Sequence, residues 1–91
     1  MSLNLKQKQI TAHELQINFH NLVIDKEQIL NDLKFTSEQL EFALKVSGRT
    51  NGYDVWKLRD YLEEKLQEQG REVYPFSILK QNIWFPYQKT W

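Results

Sequence analysis

The chain has 91 residues, 41% hydrophobic and 26% charged, and its twelve basic and twelve acidic side chains cancel to a formal charge of zero. Without cysteine it holds no disulfide and no thiolate metal site, and a neutral chain lacks the overall basic surplus usual in a domain built to grip phosphates. At this size only about 60–65% of the unfolded surface is buried on folding, so a single domain over residues 1–91 with a small core is expected.

Residues 1–10, MSLNLKQKQI, alternate polar and apolar groups around Lys6 and Lys8 and predict an N-terminal arm, either loose or a short helix after Asn4. Thr11 and Glu14 then have capping-box spacing, and Ala12, Leu15, Phe19, Leu22 and Val23 form one stripe, so a helix is expected over 12–23. Asp25, with Gln28 three residues on, opens a second helix over 26–33 that buries Ile29, Leu30 and Leu33. A third start lies at Thr36-Ser37, with Gln39 completing a box, and its helix over 37–46 turns Leu40, Ala43 and Leu44 inward.

SGRTNG, residues 47–52, reads as a loop, because two glycines and an Asn-Gly pair break the helical pattern. From Asp54 to Gln69 the helical signal is strongest, with Val55, Leu58, Leu62 and Leu66 in line, and Gly70 is placed to stop it. Residues 71–91 hold six of the twelve aromatic residues, and Pro75 and Pro86 prevent a continuous helix there. Ser77 is placed to cap one short turn through Lys80. The expected fold is therefore all-α: a helical core over 11–70 containing four helices, and an irregular aromatic tail over 71–91.

The centre of this core has the pattern of a helix-turn-helix. Leu33 closes the first helix, Phe35 fills the turn and Leu40 anchors the second, with Ile29 and Ala43 as further contacts. Two positions depart from the common pattern: Lys34 stands where glycine is usual, and Leu30 where a small residue is usual. Around the second helix the outward face carries Glu38, Glu41, Phe42 and Lys45, and residues 25–46 as a whole are net −2. Sequence readout needs donors or acceptors on base edges and Lys or Arg on phosphates, so this face is acidic for the task. Glu41 and Lys45, one turn apart, are expected to pair.

Taken together, the opening MSLN, the capped helix after Thr11, VWKLRDYLEEKL at 55–66, GREVYPFSIL at 70–79 and the terminal Trp84-Phe85 resemble a small bacterial family, domain of unknown function family 2316. The resemblance covers nearly the whole chain. It implies a helical fold with a helix-turn-helix-like middle, and supplies no catalytic or binding residues. The loop at 47–52 and Lys34, where the family has a glycine, are its departures.

No Gly-rich phosphate loop, nucleophile elbow, HExxH or Walker pattern occurs, so neither catalysis, nor a cofactor, nor a small-molecule substrate is expected. His13 and His20 are seven residues apart, about 10 Å along a helix, too far to share a metal ion. Arg59 and Asp60 are expected to cross-link the long helix to the tail. Tyr74, Phe76, Ile78 and Leu79 are expected to fold back onto Leu58, Leu62 and Leu66, leaving Trp84, Phe85, Tyr87 and Trp91 as an interface, such as that of a homodimer. No apolar run reaches the ~18 residues of a membrane span, so a cytoplasmic protein without membrane contact is expected.

Two functions follow. One is a DNA-binding regulator or accessory factor docking through Thr36, Ser37, Glu38, Glu41, Phe42 and Lys45, with Lys6 and Lys8 on the DNA backbone. The other is a protein-interaction module on the same three-helix scaffold, using Phe42 or the aromatic tail.

Overall fold

A computed structural model describes residues 3–91. Met1 and Ser2, the head of the expected arm, lie outside the described residues. Four helices follow one another: α1 (Leu5–Asn21), α2 (Lys26–Leu33), α3 (Ser37–Lys45) and α4 (Gly52–Glu68), and residues 71–91 contain no helix.

The first helix begins earlier than its apolar stripe suggests. Asn4 caps it with a reciprocal box: its side chain accepts the Gln7 N–H at 2.8 Å, and the Gln7 side chain accepts the Asn4 N–H at 3.0 Å. The expected arm is thus largely the first turns of α1. Thr11 and Glu14, the expected box, are buried inside that helix and face other elements. The box at Thr36 and Gln39 forms as expected. At Asp25 the side chain makes no cap, and its carbonyl alone starts α2.

Helices α2 and α3 both end on a left-handed residue that is not glycine. Lys34 has φ 59° and Val46 φ 47°. Each is followed by an amide reaching back five residues, Phe35 to Leu30 at 3.0 Å and Ser47 to Phe42 at 3.1 Å, which satisfies carbonyls the helix leaves open. Lys34 therefore adopts the bend that glycine usually supplies. Gly70, at φ 67°, ends α4 in the same way, with the Arg71 amide on the Leu66 carbonyl at 2.9 Å.

The core is one cluster with α4 at its centre. Val55, Leu58, Tyr61, Leu62 and Leu66 of α4 meet Ala12 and Leu15 of α1, Ile29 and Leu33 of α2, and Leu40 and Ala43 of α3. Phe35 plugs the α2–α3 turn. Helices α1 and α3 run side by side in opposite directions: Gln16 donates to the Leu44 carbonyl at 3.1 Å, while Lys8 lies beside Val46 and Ser47.

Side chains of the helices hold the tail in place. Buried Asn18 works like a short piece of strand edge: its Oδ1 accepts the Tyr74 N–H at 2.8 Å and its Nδ2 donates to the Tyr74 carbonyl at 3.0 Å. Four residues earlier on α1, the Glu14 carboxylate accepts both the amide and the hydroxyl of Ser77, the hydroxyl at 2.7 Å. Ser77 is thus spent on α1, and no helical turn forms through Lys80. Arg59 on α4 donates to the Leu79 carbonyl at 3.0 Å, pairs with Asp60 and Glu63, and sits over Phe76, its Cζ 4.7 Å from the ring centre. The expected link between α4 and the tail is present. Phe76 and Leu79 are buried, Ile78 is partly so, and Tyr74 stays exposed, gripped by its backbone, with its ring edge-on to His13 at 6.4 Å.

Candidate nucleic-acid interface

Leu33, Phe35 and Leu40, with Ile29 and Ala43, are all buried in the shared core, as the lock of a helix-turn-helix requires, with α2 and α3 each packed on α4. Leu30, the bulky departure, is only partly buried and packs on the edge of the core. With Lys34 in the left-handed conformation, the turn needs no glycine. The outward side of α3 points away from the core, and the tail runs instead over α1, α2 and α4 through its anchors at Glu14, Asn18, Asp32 and Arg59.

The residues expected to face DNA are placed as follows. Thr36 is exposed, with its hydroxyl accepting the Gln39 N–H at 3.1 Å. Ser37 accepts from the ammonium of Lys26 at 2.8 Å, bringing a base of α2 to the start of α3. Glu38 is exposed. Glu41 pairs with Lys45 at 3.2 Å, as their spacing predicts, on a fully wetted surface where such a pair contributes a few tenths of a kcal/mol at most, roughly. Phe42 is partly buried beneath the guanidinium of Arg49, 5.8 Å from the ring centre. Lys6 and Lys8 lie on α1, and Lys8 shares with Lys45 an open groove of about 500 Å³ that also takes in Leu5, His13, Val46 and Ser47.

Bases therefore cluster at both ends of α3: Lys26 and Lys34 at its start, Lys8, Lys45 and Arg49 at its finish. Lys26, Lys34 and Arg49 are the additions of the structure. Arg49 sits in a loop where residue type alone signals only a turn, and the two lysines come close to α3 through the α2–α3 bend.

The acids near the central motif are not all open to a ligand. Asp32 is occupied by the Tyr61 phenol and by Gln28, at 2.7 and 3.0 Å, and Glu14 by Ser77. Setting Asp32 aside, residues 25–46 still carry four exposed acids, Asp25, Glu27, Glu38 and Glu41 (the last paired with Lys45), against Lys26, Lys34 and Lys45. The bases that tip the balance before α4 are Lys6, half-buried Lys8 and Arg49 from outside the motif. Lys57, buried on α4, does structural duty as Arg59 does: it donates to the Leu33 carbonyl at 2.6 Å and sits 5.5 Å over the Phe35 ring. Burial lowers its pKa, Asp54 nearby raises it, and Lys34 lowers it further.

The aromatic tail residues divide. Phe85 lies over the first turn of α4, where Gly52 leaves room for it and Tyr53 meets it edge-on at 5.3 Å. Tyr87 donates its hydroxyl to Asp60 at 2.6 Å, and Trp91 packs edge-on against Tyr61 at 5.2 Å with its indole N–H on Glu64. Trp84 stands out at 77% exposure, beside Ile83 at 65%. His13 and His20 are both exposed, and no group of three or more potential metal ligands comes together among the described residues. No helix among them is long and apolar enough to cross a membrane.

These features define a small all-α protein with a helix-turn-helix-like central pair, laced by a non-helical aromatic tail. The chain belongs to the bacterial family described as "Uncharacterized protein conserved in bacteria (DUF2316)", whose model matches residues 1–87. No curated protein and no solved structure matches it.

Proposed function

We propose that the chain is a small non-catalytic DNA-binding protein that lays α3 into the major groove. The supporting observation is the uncovered outward side of α3 with bases at each end. Nine residues make a helix about 13 Å long, close to the roughly 12 Å width of the groove, so bases at its two ends face the two flanking backbones. Glu38 and Glu41 then fall over the groove floor, where carboxylates accept from the amino group of cytosine, and not over the phosphates that would repel them. Ser37, Thr36 and Lys6 add contacts at the margins.

The test is fluorescence anisotropy of labelled genomic and mixed-sequence duplexes at about 50 mM and about 200 mM salt. Binding that weakens steeply at the higher salt is expected, because phosphate contacts release counterions. Lys26→Ala and Arg49→Ala should each weaken binding on all sequences and flatten the salt dependence by about one unit of slope. Absence of binding at the lower salt refutes the proposal.

A second reading, an interaction module that associates through its tail, is favoured by one observation, the exposure of Trp84 next to Ile83. Light scattering at high protein concentration separates the two. A monomer whose size is indifferent to Trp84→Ala removes self-association through the tail.

A further inference from the structure

The last residues of the tail reach the helix-turn-helix pair itself. Thr90 donates its hydroxyl to the carbonyl of Asp32, in the final turn of α2, at 2.6 Å. The Asp32 carboxylate accepts the Tyr61 phenol at 2.7 Å, and the Tyr61 ring takes Trp91 edge-on. Trp91 is held in turn by Glu64, which Lys89 also engages at 3.0 Å, and Tyr87 stacks on Trp91 while its hydroxyl sits on Asp60. One residue beyond Asp32, the Leu33 carbonyl takes the Lys57 ammonium. A helix leaves its last carbonyls without intrahelical partners. In α2 those of Asp32 and Leu33 are tied to the tail and to α4, immediately before left-handed Lys34.

This terminal contact is separable from the rest of the tail. Upstream, Phe76 and Leu79 are buried and anchored by Glu14, Asn18 and Arg59. Between the two anchorages Lys80, Gln81, Ile83, Trp84 and Pro86 are exposed, and the chain touches α4 there through the half-buried ring of Phe85 over Gly52 and Tyr53. The terminal contacts consist of half-buried rings and a handful of hydrogen bonds, the kind of region that opens locally without global unfolding.

We propose that residues 87–91 act as a latch on the end of α2, setting the pose of the turn and hence the presentation of α3. With the latch closed, the α2–α3 bend is rigid. With it released, the turn at Lys34 and Phe35 frays while the core of α1 and α4 stays folded. The consequence for DNA rests on the function proposed above; the effect on the turn does not.

Amide hydrogen exchange on the full chain tests this directly. The amides of Lys34 and Phe35 both donate to the Leu30 carbonyl and report the closure of the turn. In Thr90→Val/Trp91→Ala these two amides should exchange at least about tenfold faster, with α1 amides changing far less. Thr90→Val alone provides a milder step in the same direction if the double variant fails to fold. Ser77→Ala, which loosens the upstream anchor at Glu14, is the control and should leave the ratio of turn to α1 exchange unchanged. Uniform acceleration along the chain, or unchanged exchange at Lys34 and Phe35, overturns the latch. If the unaltered chain binds no DNA, the proposed function falls while the exchange result still decides the latch. If it binds, the latch variants should bind more weakly at both salt concentrations.

Discussion

Lys34→Gly should make the protein more stable, an unusual outcome for a glycine substitution beside a helix. Lys34 holds φ 59° and ψ 40° and is exposed, so its side chain contributes no packing that glycine would forfeit. A left-handed backbone costs an L-residue about 1–2 kcal/mol that glycine does not incur. Against this, glycine makes the unfolded chain looser, which costs about 0.4–1 kcal/mol. The balance is a gain of about 0.5–1 kcal/mol, or a rise in melting temperature of roughly 3–6 °C for a domain of this size. Loss of the Lys34 charge also relieves its repulsion of Lys57, a minor contribution at this wetted position. Lys34→Ala separates the causes. Alanine keeps the backbone strain and removes the charge, so its melting temperature should stay within about 1 °C of the parent. If the proposed function holds, both variants should lose the same amount of DNA affinity, since each would forfeit the same phosphate contact. Urea denaturation and thermal melting followed by circular dichroism supply the numbers. A Lys34→Gly protein no more stable than Lys34→Ala would refute the reasoning that strain is held at this turn.

Asn18→Ala strips the tail of its grip at Tyr74 and should destabilise by about 1–3 kcal/mol, read from urea midpoints, with a fall at the low end meaning that water replaces the lost partner. Gly52→Ala puts a Cβ into the Phe85 ring; because that ring is half-exposed and can swing away, the loss should be about 1 kcal/mol, near the lower limit for overpacking, and an intact Tyr53–Phe85 contact by NMR would contradict it. Alkaline pH should unfold the protein early. Burial and the neighbouring carboxylates Asp32 and Asp60 push the phenols of Tyr61 and Tyr87 well above their ordinary value of 10.0, so their contribution is complete below pH 10 and lost as pH rises beyond it. Tyr61→Phe/Tyr87→Phe should flatten that alkaline limb in denaturation curves measured at a series of pH values. At the acid end, Trp91 and Lys89 hold the Glu64 carboxyl below its usual 4.5, so the stability it lends the latch is present above that value and lost as pH falls through the lowered one.

The core of the helix-turn-helix was legible because its apolar pattern is local: Leu33, Phe35 and Leu40 lie within eight residues, and their spacing turns all three into the shared core. The Thr36 box and the Glu41–Lys45 pair are local for the same reason. Asn4-x-x-Gln7 carries the same box signature as Thr11-x-x-Glu14, and the choice between them was decided by tertiary contact, since Thr11 faces the core and Glu14 is claimed by Ser77. The Asn-Gly pair read as a loop because glycine is a poor helix former. Asn51 caps α4 locally by accepting the Asp54 N–H, and Gly52, its first residue, leaves the space that Phe85, thirty-three residues away, occupies. The lacing at Asn18, Asp32 and Glu64 joins residues 27 to 58 positions apart, and no periodicity encodes such pairings. The bases around α3 follow the same division: Lys45 was visible on its own helix, whereas Lys26 and Lys34 needed the bend.

The way Asn18, Glu14 and Arg59 hold the tail also governs which substitutions the protein can absorb. At Tyr74 and Leu79 the helix side chains take hold of peptide groups, which every residue except proline offers in full. The instruction for the path of the tail is therefore written in the helices. An exposed tail position such as Tyr74 can drift to almost any residue while its backbone stays where it is, but Asn18 has no substitute that both donates and accepts from the same reach. A chain built this way can vary its outer surface widely at little risk to its shape, and its tolerance ends at a few buried polar side chains on α1 and α4.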